Sequence, residues 1–253
     1  TLRDTIDAAN YKDYVLPVMF VKYLSDSYTD AVEELSKQYS GIRLERQKKY
    51  LPFMVAEGCS FYDLYQQRFA DNIGQLMNAA MRQIEADNNQ QLAGVLSAVD
   101  YNSENALGTR EHKNAILRDL LEDFEPLDLR PSAIEVKEGQ VPADVIGDAY
   151  EYMIGQFASM AGKKAGSFYT PAAVSEIMAR IVDVQPGERV YDPTCGSGSL
   201  LIKAAKKQNS KEVSIYGQEV NGSSVAMAKM NMYIHEIRDA KIGWGDTLGI
   251  SGF

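Results

Sequence analysis

Three short apolar runs in the second half of the chain limit most strongly what this sequence can become. They are ERVYD (188–192), EVSIYGQEV (212–220) and AKIGWGD (240–246). Each has the length and the β-branched or aromatic content of a strand. Two segments of helical spacing, SLLIKAAKKQ (199–208) and SSVAMAKMNMYIHEI (223–237), separate them. Strand, helix, strand, helix, strand is the opening of a parallel α/β sheet with right-handed crossovers. Ligands of such sheets sit at the carboxyl ends of the strands. This chain places a glycine-containing loop, DPTCGSG, after the first strand, Glu219 at the end of the second and Asp246 at the end of the third.

The loop has a definite chemistry. Gly196 and Gly198 allow a sharp turn and a close backbone approach to a ligand, because no Cβ stands in the way. Glu219 follows Gly198 by 21 residues, the position from which an acid receives the hydroxyls of a ribose. Asp246 is within reach of an adenine edge in the same crevice. A dinucleotide loop reads G-x-G-x-x-G and holds a pyrophosphate on a helix N-terminus. Here the last glycine is replaced by Leu201, and the loop opens with Asp192 and Pro193. An acid at the mouth repels pyrophosphate and suits a cationic ligand. S-adenosylmethionine, with an ammonium and a sulfonium and no phosphate, fits better than NAD.

The first half reads as helical. The segment 10–39 carries Tyr11, Tyr14 or Val15, Val18, Val21 and Leu24 at helical spacing, with a kink or a new helix expected at Pro17. That stripe is read as helix core rather than a docking face. Helical patterns follow at about 60–99 and 110–124, the stretch 72–88 being amphipathic. PLDLRPSAIEVKEGQVP (126–142), with three prolines, is a connector. The expected domains are therefore a helical one over 1–141 and an α/β one over 142–253. The second opens with a helix over 142–161, a lysine-containing loop GKKAGS (162–167) and a helix over 168–184. Thr170 is expected at the N-cap of that helix and Pro171 at its first turn.

Composition narrows the function. No apolar run reaches the roughly 18–20 residues a membrane span needs. The N-terminus lacks a signal-peptide core, and the absent Met suggests a start further upstream. Two cysteines, Cys59 and Cys195, and two histidines, His112 and His235, make neither a disulfide framework nor a metal cluster, so the cytoplasm is expected. His112 is read as a surface residue and His235 as a core or cap residue. The net charge is −9, whereas a protein that grips a DNA backbone unaided is usually basic. A nucleic-acid substrate would need a partner or a local patch. RLERQKKY (43–50) is a basic run, read as an exposed face.

Taken in order, GSFYTP (166–171), DPTCGSGSLL (192–201), GQEVN (217–221) and GDTL (245–248) resemble the successive cofactor motifs of DNA adenine-N6 methyltransferases. More narrowly, the chain resembles the modification subunit of type I restriction–modification systems. YKDYVLPVMFVKYLSD (11–26) is similar to the start of that family's helical domain, and GDAYEYMI (147–154) to the segment before its cofactor motif. The resemblance implies a Rossmann-like methyltransferase domain behind the helical one. It implies that Ser167, Phe168, Tyr169, Thr170, Pro171 and Ala172 pack around the methionine part of S-adenosylmethionine. Gly196, Ser197, Gly198 and Ser199 would turn near its carboxylate and Asp192 would sit by its amino end. Glu219 would accept from the ribose, and Asp246 would lie beside the adenine. Cys195, inside the cofactor loop, is not read as a nucleophile.

The family's catalytic Asn-Pro-Pro-aromatic motif is not in this sequence. The chain is therefore expected to be the first part of a longer enzyme, able by itself to bind cofactor and not to methylate. The implied partners are a DNA specificity subunit, a nuclease–translocase subunit, and DNA through the complex. Three rival readings remain: a methyltransferase with another acceptor, a non-catalytic assembly subunit, and a nicotinamide oxidoreductase, the last disfavoured by Leu201 and Asp192.

Overall fold

A computed structural model describes residues 8–162, 166, 168–206 and 212–249. Ser167 and the lysine pair of the 162–167 loop lie outside the described residues. The chain divides into two compact units, Thr1–Pro142 and Ala143–Phe253.

The first unit is helical. α1 (Ala8–Ser36) runs unbroken through Pro17, so the expected new helix does not begin there. Proline removes one helical hydrogen bond and costs about 3 kcal/mol. The helix carries it because every side chain from Tyr14 to Ser27 is buried, which stabilises it by more than one lost bond costs. The expected stripe is thus one side of a helix enclosed all round. Tyr101 donates its hydroxyl to the Tyr14 carbonyl at 2.8 Å, and the two rings meet edge to face. The region 60–99 is three helices, α3 (Phe61–Gln66), α4 (Ile73–Asp87) and α5 (Asn89–Leu92), following the exposed α2 (Gly41–Lys48). α6 (Glu104–Leu107) and α7 (Arg110–Phe124) complete the unit. His112 is an exposed residue of α7.

An ionic knot fastens the connector to α1. Lys22 and Asp26 are fully buried and paired one helical turn apart. The Asp26 carboxylate also accepts the Tyr62 hydroxyl at 2.6 Å and the Leu129 N–H at 2.8 Å. Lys22 donates to the Tyr62 oxygen at 3.1 Å. Three elements thus satisfy one buried charge pair. Farther along, Asp30 accepts the Ser132 N–H at 2.9 Å.

The second unit begins with α8 (Pro142–Ala161) and α9 (Ala172–Val182). β1 (Arg189–Asp192), α10 (Ser199–Lys206), β2 (Ser214–Glu219), α11 (Gly222–Ile234) and β3 (Lys241–Trp244) follow. The three strands are parallel in the order β1-β2-β3, with Asp192 opposite Gly217 and Glu219 opposite Trp244. Leu201 and Ile202 of α10, Ala228 and Met232 of α11, and Ile215 of β2 form the core under the sheet. The start of α9 differs from expectation by one residue. Pro171, with ψ 137°, is its N-cap, and the Pro171 carbonyl accepts the N–H groups of Val174 and Ser175. Proline here supplies the first carbonyl of the helix rather than its first helical residue, and Thr170 does not cap it.

His235 is the C-cap of α11 and is buried. A Cβ on Gly147 would come within 2.1 Å of its ring, so the absence of a side chain at 147 makes room for the imidazole. Burial, with the Lys206 and Lys203 charges adding, pushes its pKa down to about 3. The ring is therefore neutral at physiological pH, with the Glu151 carboxylate 4.0 Å away.

Candidate functional site

Because β1, β2 and β3 are parallel, their carboxyl ends share one edge of the sheet. Asp192 closes β1, Glu219 closes β2, and Asp246 lies two residues past the end of β3. Glu219 is buried, and both of its oxygens are engaged. Oε2 accepts the Gly196 N–H at 3.0 Å, and Oε1 accepts the Asn221 N–H at 2.8 Å. The central carboxylate therefore holds the glycine loop from below. Each carboxylate oxygen has two lone pairs, so both keep acceptor capacity for an incoming hydroxyl.

The loop is also held from three other directions. Cys195 N–H donates to the Gln218 carbonyl at 3.0 Å, and Ser197 N–H donates to the Phe168 carbonyl at 3.0 Å. Asn231 Nδ2 donates to the Ser197 carbonyl at 3.0 Å. Gly196 (φ +53°) and Gly198 (φ +78°) both lie in the left-handed region. A Cβ on Gly196 would meet the Phe168 carbonyl oxygen at 3.0 Å, and one on Gly198 would meet Met232 Cε at 2.9 Å. Conformation and space both require glycine there.

Asp192 is half-buried and accepts the Thr194 N–H at 3.0 Å. Burial raises its pKa, the Thr194 bond draws it back, and the Glu219 charge raises it further. Asp246 is exposed and caps its own turn through the Leu248 N–H at 3.0 Å. Thr247 donates its hydroxyl to the Pro193 carbonyl, tying the loop after β3 to the loop after β1. Burial pushes the Cys195 thiol up to about 12, with the Asp192 and Glu219 charges contributing. A protonated thiol buried against Gly217 is no nucleophile.

The other expected residues are arranged around this loop. Phe168 is buried and reaches the loop through its carbonyl, while Tyr169 lies over Gly155 of α8. Thr170 is half-buried, and Pro171 and Ala172 are exposed. Ser197 and Ser199 are buried with their hydroxyls 3.0 Å apart. Two contributors escape a reading of the sequence. Asn231, fully buried on α11, holds the loop, and its only trace is a polar residue inside an apolar helix. Val220 stands exposed beside Glu219, an apolar surface next to the acid. With the loop N–H groups of Cys195, Gly196, Ser197 and Gly198 already bonded within the chain, the clustered carboxylates and their apolar flank suit a ligand bearing hydroxyls and a cation better than one bearing phosphate.

Residues 141–253 match the family model described as N-6 DNA Methylase, and residues 1–124 match that described as the HsdM N-terminal domain. The methylase subunit of the MpnII type I restriction enzyme of Mycoplasma pneumoniae is 30% identical, over 93% of this chain and 48% of the relative. The corresponding MjaVIII subunit of Methanocaldococcus jannaschii is 30% identical, over 94% of this chain and 40% of the relative. The chain belongs to the methylase-subunit family of type I restriction enzymes. The crystal structure of a type I restriction-modification methyltransferase subunit from Streptococcus thermophilus superposes on this family member with a TM-score of 0.75 at 29% identity. That match covers 99% of this chain and 57% of the other. The present chain spans about half the length, or less, of the curated relatives it matches. Its architecture is a helical N-terminal domain followed by part of a methyltransferase-like α/β domain.

Proposed function

We propose that this chain carries the cofactor-binding part of an enzyme that methylates adenine N6 in DNA, as the modification subunit of a type I restriction–modification complex. The observation that carries the reading is Glu219, a buried carboxylate ending the central strand and clamping the glycine loop, flanked by Asp192 and Asp246. S-adenosylmethionine, the proposed cofactor, supplies a methyl group activated by its sulfonium. Glu219 would accept the ribose hydroxyls with its free lone pairs, Val220 would offer an apolar surface to the adenine, and Asp246 would offer an acceptor to it. Asp192 would hold the amino group, and the turn Gly196, Ser197, Gly198, Ser199 would take the carboxylate. Residues 168–172 would wall the methionine end.

The domain division belongs to the same proposal: residues 1–141 form the helical domain and 142–253 the cofactor-binding one. A DNA specificity subunit and a nuclease–translocase subunit are the proposed partners, with DNA reached through the complex. Both cysteines are free thiols, which suits the cytoplasm. Among the described residues no helix is long and apolar enough to cross a membrane.

Calorimetric titration of the chain with S-adenosylmethionine, beside NAD and beside a Glu219→Ala variant, tests the reading. Saturable binding of S-adenosylmethionine alone, weakened by the substitution, is expected. Binding of NAD in its place would refute it.

A further inference from the structure

A chain of net charge −9 carries an exposed stretch of the opposite sign early in its first unit. Between residues 37 and 50 it carries Lys37, Arg43, Arg46, Lys48 and Lys49 against a single carboxylate, Glu45. Those residues lie at the end of α1, along α2 and just beyond it. α2 has no fully buried residue and packs against α1. Its half-buried side presents Leu44, Gln47 and Lys48, the last lying near Tyr28 of α1. Its outer side presents Arg43, Arg46 and Lys49, flanked by Ile42 at 77% and Tyr50 at 82% exposure.

The cations divide into two kinds. Lys37 is paired with Glu34 at 2.5 Å and Lys48 with Glu45 at 2.7 Å. Those pairs engage Glu34 and Glu45, while Asp30 and Glu33 act on both Lys37 and Arg130. Among the described residues, Arg43, Arg46 and Lys49 have no carboxylate partner. Arginine offers a planar fork that matches phosphate, and lysine offers a point charge. An exposed tyrosine beside them adds a ring and a hydroxyl, which can reach sugar or phosphate. Arg46 lies in the last turn of α2 and Lys49 is its C-cap, where positive charge also favours the helix dipole. A solvated charged face needs neither an exposed tyrosine nor an exposed isoleucine, and both carry a desolvation incentive to be covered.

We infer that the outer face of α2, with Arg43, Arg46, Lys49 and Tyr50, docks on the phosphate backbone of duplex DNA. The contact is independent of base sequence, since it reaches phosphate and sugar only. It rests on the reading that DNA is the methyl acceptor. It supplies the local patch that an acidic protein needs in order to hold a polyanion.

The test compares binding of a labelled duplex by the 253-residue chain and by the triple variant Arg43→Ala, Arg46→Ala, Lys49→Ala, read as fluorescence anisotropy between about 50 and 200 mM salt. Removing the three phosphate-neutralising cations should flatten the slope of log K against log salt by about 2.7. Tyr50→Ala should weaken binding with the slope unchanged. A control, Arg82→Ala, Arg110→Ala, Lys137→Ala, removes the same charge elsewhere in the same unit and should change the slope little.

An unchanged slope in the α2 variant would overturn the inference, as would an equal effect in the control or no duplex binding by the wild-type chain at the low-salt end. Polyglutamate serves as a probe of the acidic-protein alternative. A triple variant that keeps its duplex affinity but no longer binds polyglutamate would overturn the DNA contact and reassign the helix to an acidic protein partner. Titration of the same proteins with S-adenosylmethionine separates the two readings. A wild-type chain that fails to bind cofactor sinks the reading of its strand-end carboxylates as a self-sufficient cofactor site, whereas an unchanged salt slope sinks the α2 contact alone.

Discussion

Replacing Glu219 with Gln changes one atom's chemistry at nearly constant volume, and the consequence can be worked from its hydrogen bonds. The wild-type carboxylate accepts from Gly196 at 3.0 Å and from Asn221 at 2.8 Å. An amide has one acceptor oxygen, so its NH₂ group must face one of these two N–H donors. Hydrogen bonds to a charged group contribute about 1.5–3 kcal/mol, and a buried donor left without a partner costs about 1–3 kcal/mol. The substitution should therefore destabilise the fold by about 2 kcal/mol. At about 2–4 °C per kcal/mol for a chain of this size, Tm should fall by about 4–8 °C. Affinity for S-adenosylmethionine should drop roughly 10- to 150-fold, the equivalent of one charge-assisted bond. Scanning calorimetry and isothermal titration read the two effects separately. A lowered Tm with unchanged affinity would make Glu219 a loop clamp and nothing more. Unchanged Tm and affinity together would refute the double acceptance itself.

His235 keeps its proton off in the folded state down to about 3, against 6.5 for an ordinary histidine, so between those values the unfolded chain binds the extra proton. Stability should fall as pH drops through that window, and His235→Leu should remove that part of the slope in urea melts at a series of pH values. Gly147→Ala forces a Cβ to 2.1 Å from the same ring and should cost about 1–3 kcal/mol. In a His235→Ala background the added cost should shrink, which a double-mutant cycle by chemical denaturation measures. Asp26→Ala strands the buried Lys22 charge and frees the Leu129 N–H, with an expected loss of about 3–5 kcal/mol; a midpoint in urea shifted by less than a surface substitution would contradict the ionic knot. Cys195→Ala should leave S-adenosylmethionine binding within a few-fold of wild type, and abolished binding would show that the buried thiol does more than fill space.

Local pattern was enough to place the strands and helices of the second unit. Strand runs and helical spacing are short-range signals, and a helix between successive strands implies parallel pairing through right-handed crossovers, while the order β1-β2-β3 was decided by the fold. Parallel pairing brings Asp192, Glu219 and Asp246 to one edge of the sheet, so the acids were legible in the chain alone. What the sequence did not contain was the web around the loop. Asn231 to Ser197 spans 34 residues and Gly196 to Glu219 spans 23, and no periodicity encodes which partner a side chain or an N–H will meet. The Ser197 bond to the Phe168 carbonyl is of the same kind.

Pro17 shows the limit from the other side. Its local chemistry argues for a break, and an isolated helix would obey it. Burial of α1 from Tyr14 to Ser27 outweighs one missing hydrogen bond, and only the surrounding helices could decide that. The one-residue shift at α9 has a smaller cause: proline satisfies both the N-cap and the first helical position, and the extended ψ of Pro171 selects the cap. The sequence by itself therefore determined element type, the parallel direction of the strands and the chemistry at the strand ends, because these depend on spacing along the chain. The tertiary structure alone decided which elements tolerate strain, which polar groups pair across distance, and which cations are left facing solvent, because these depend on what the fold brings beside them.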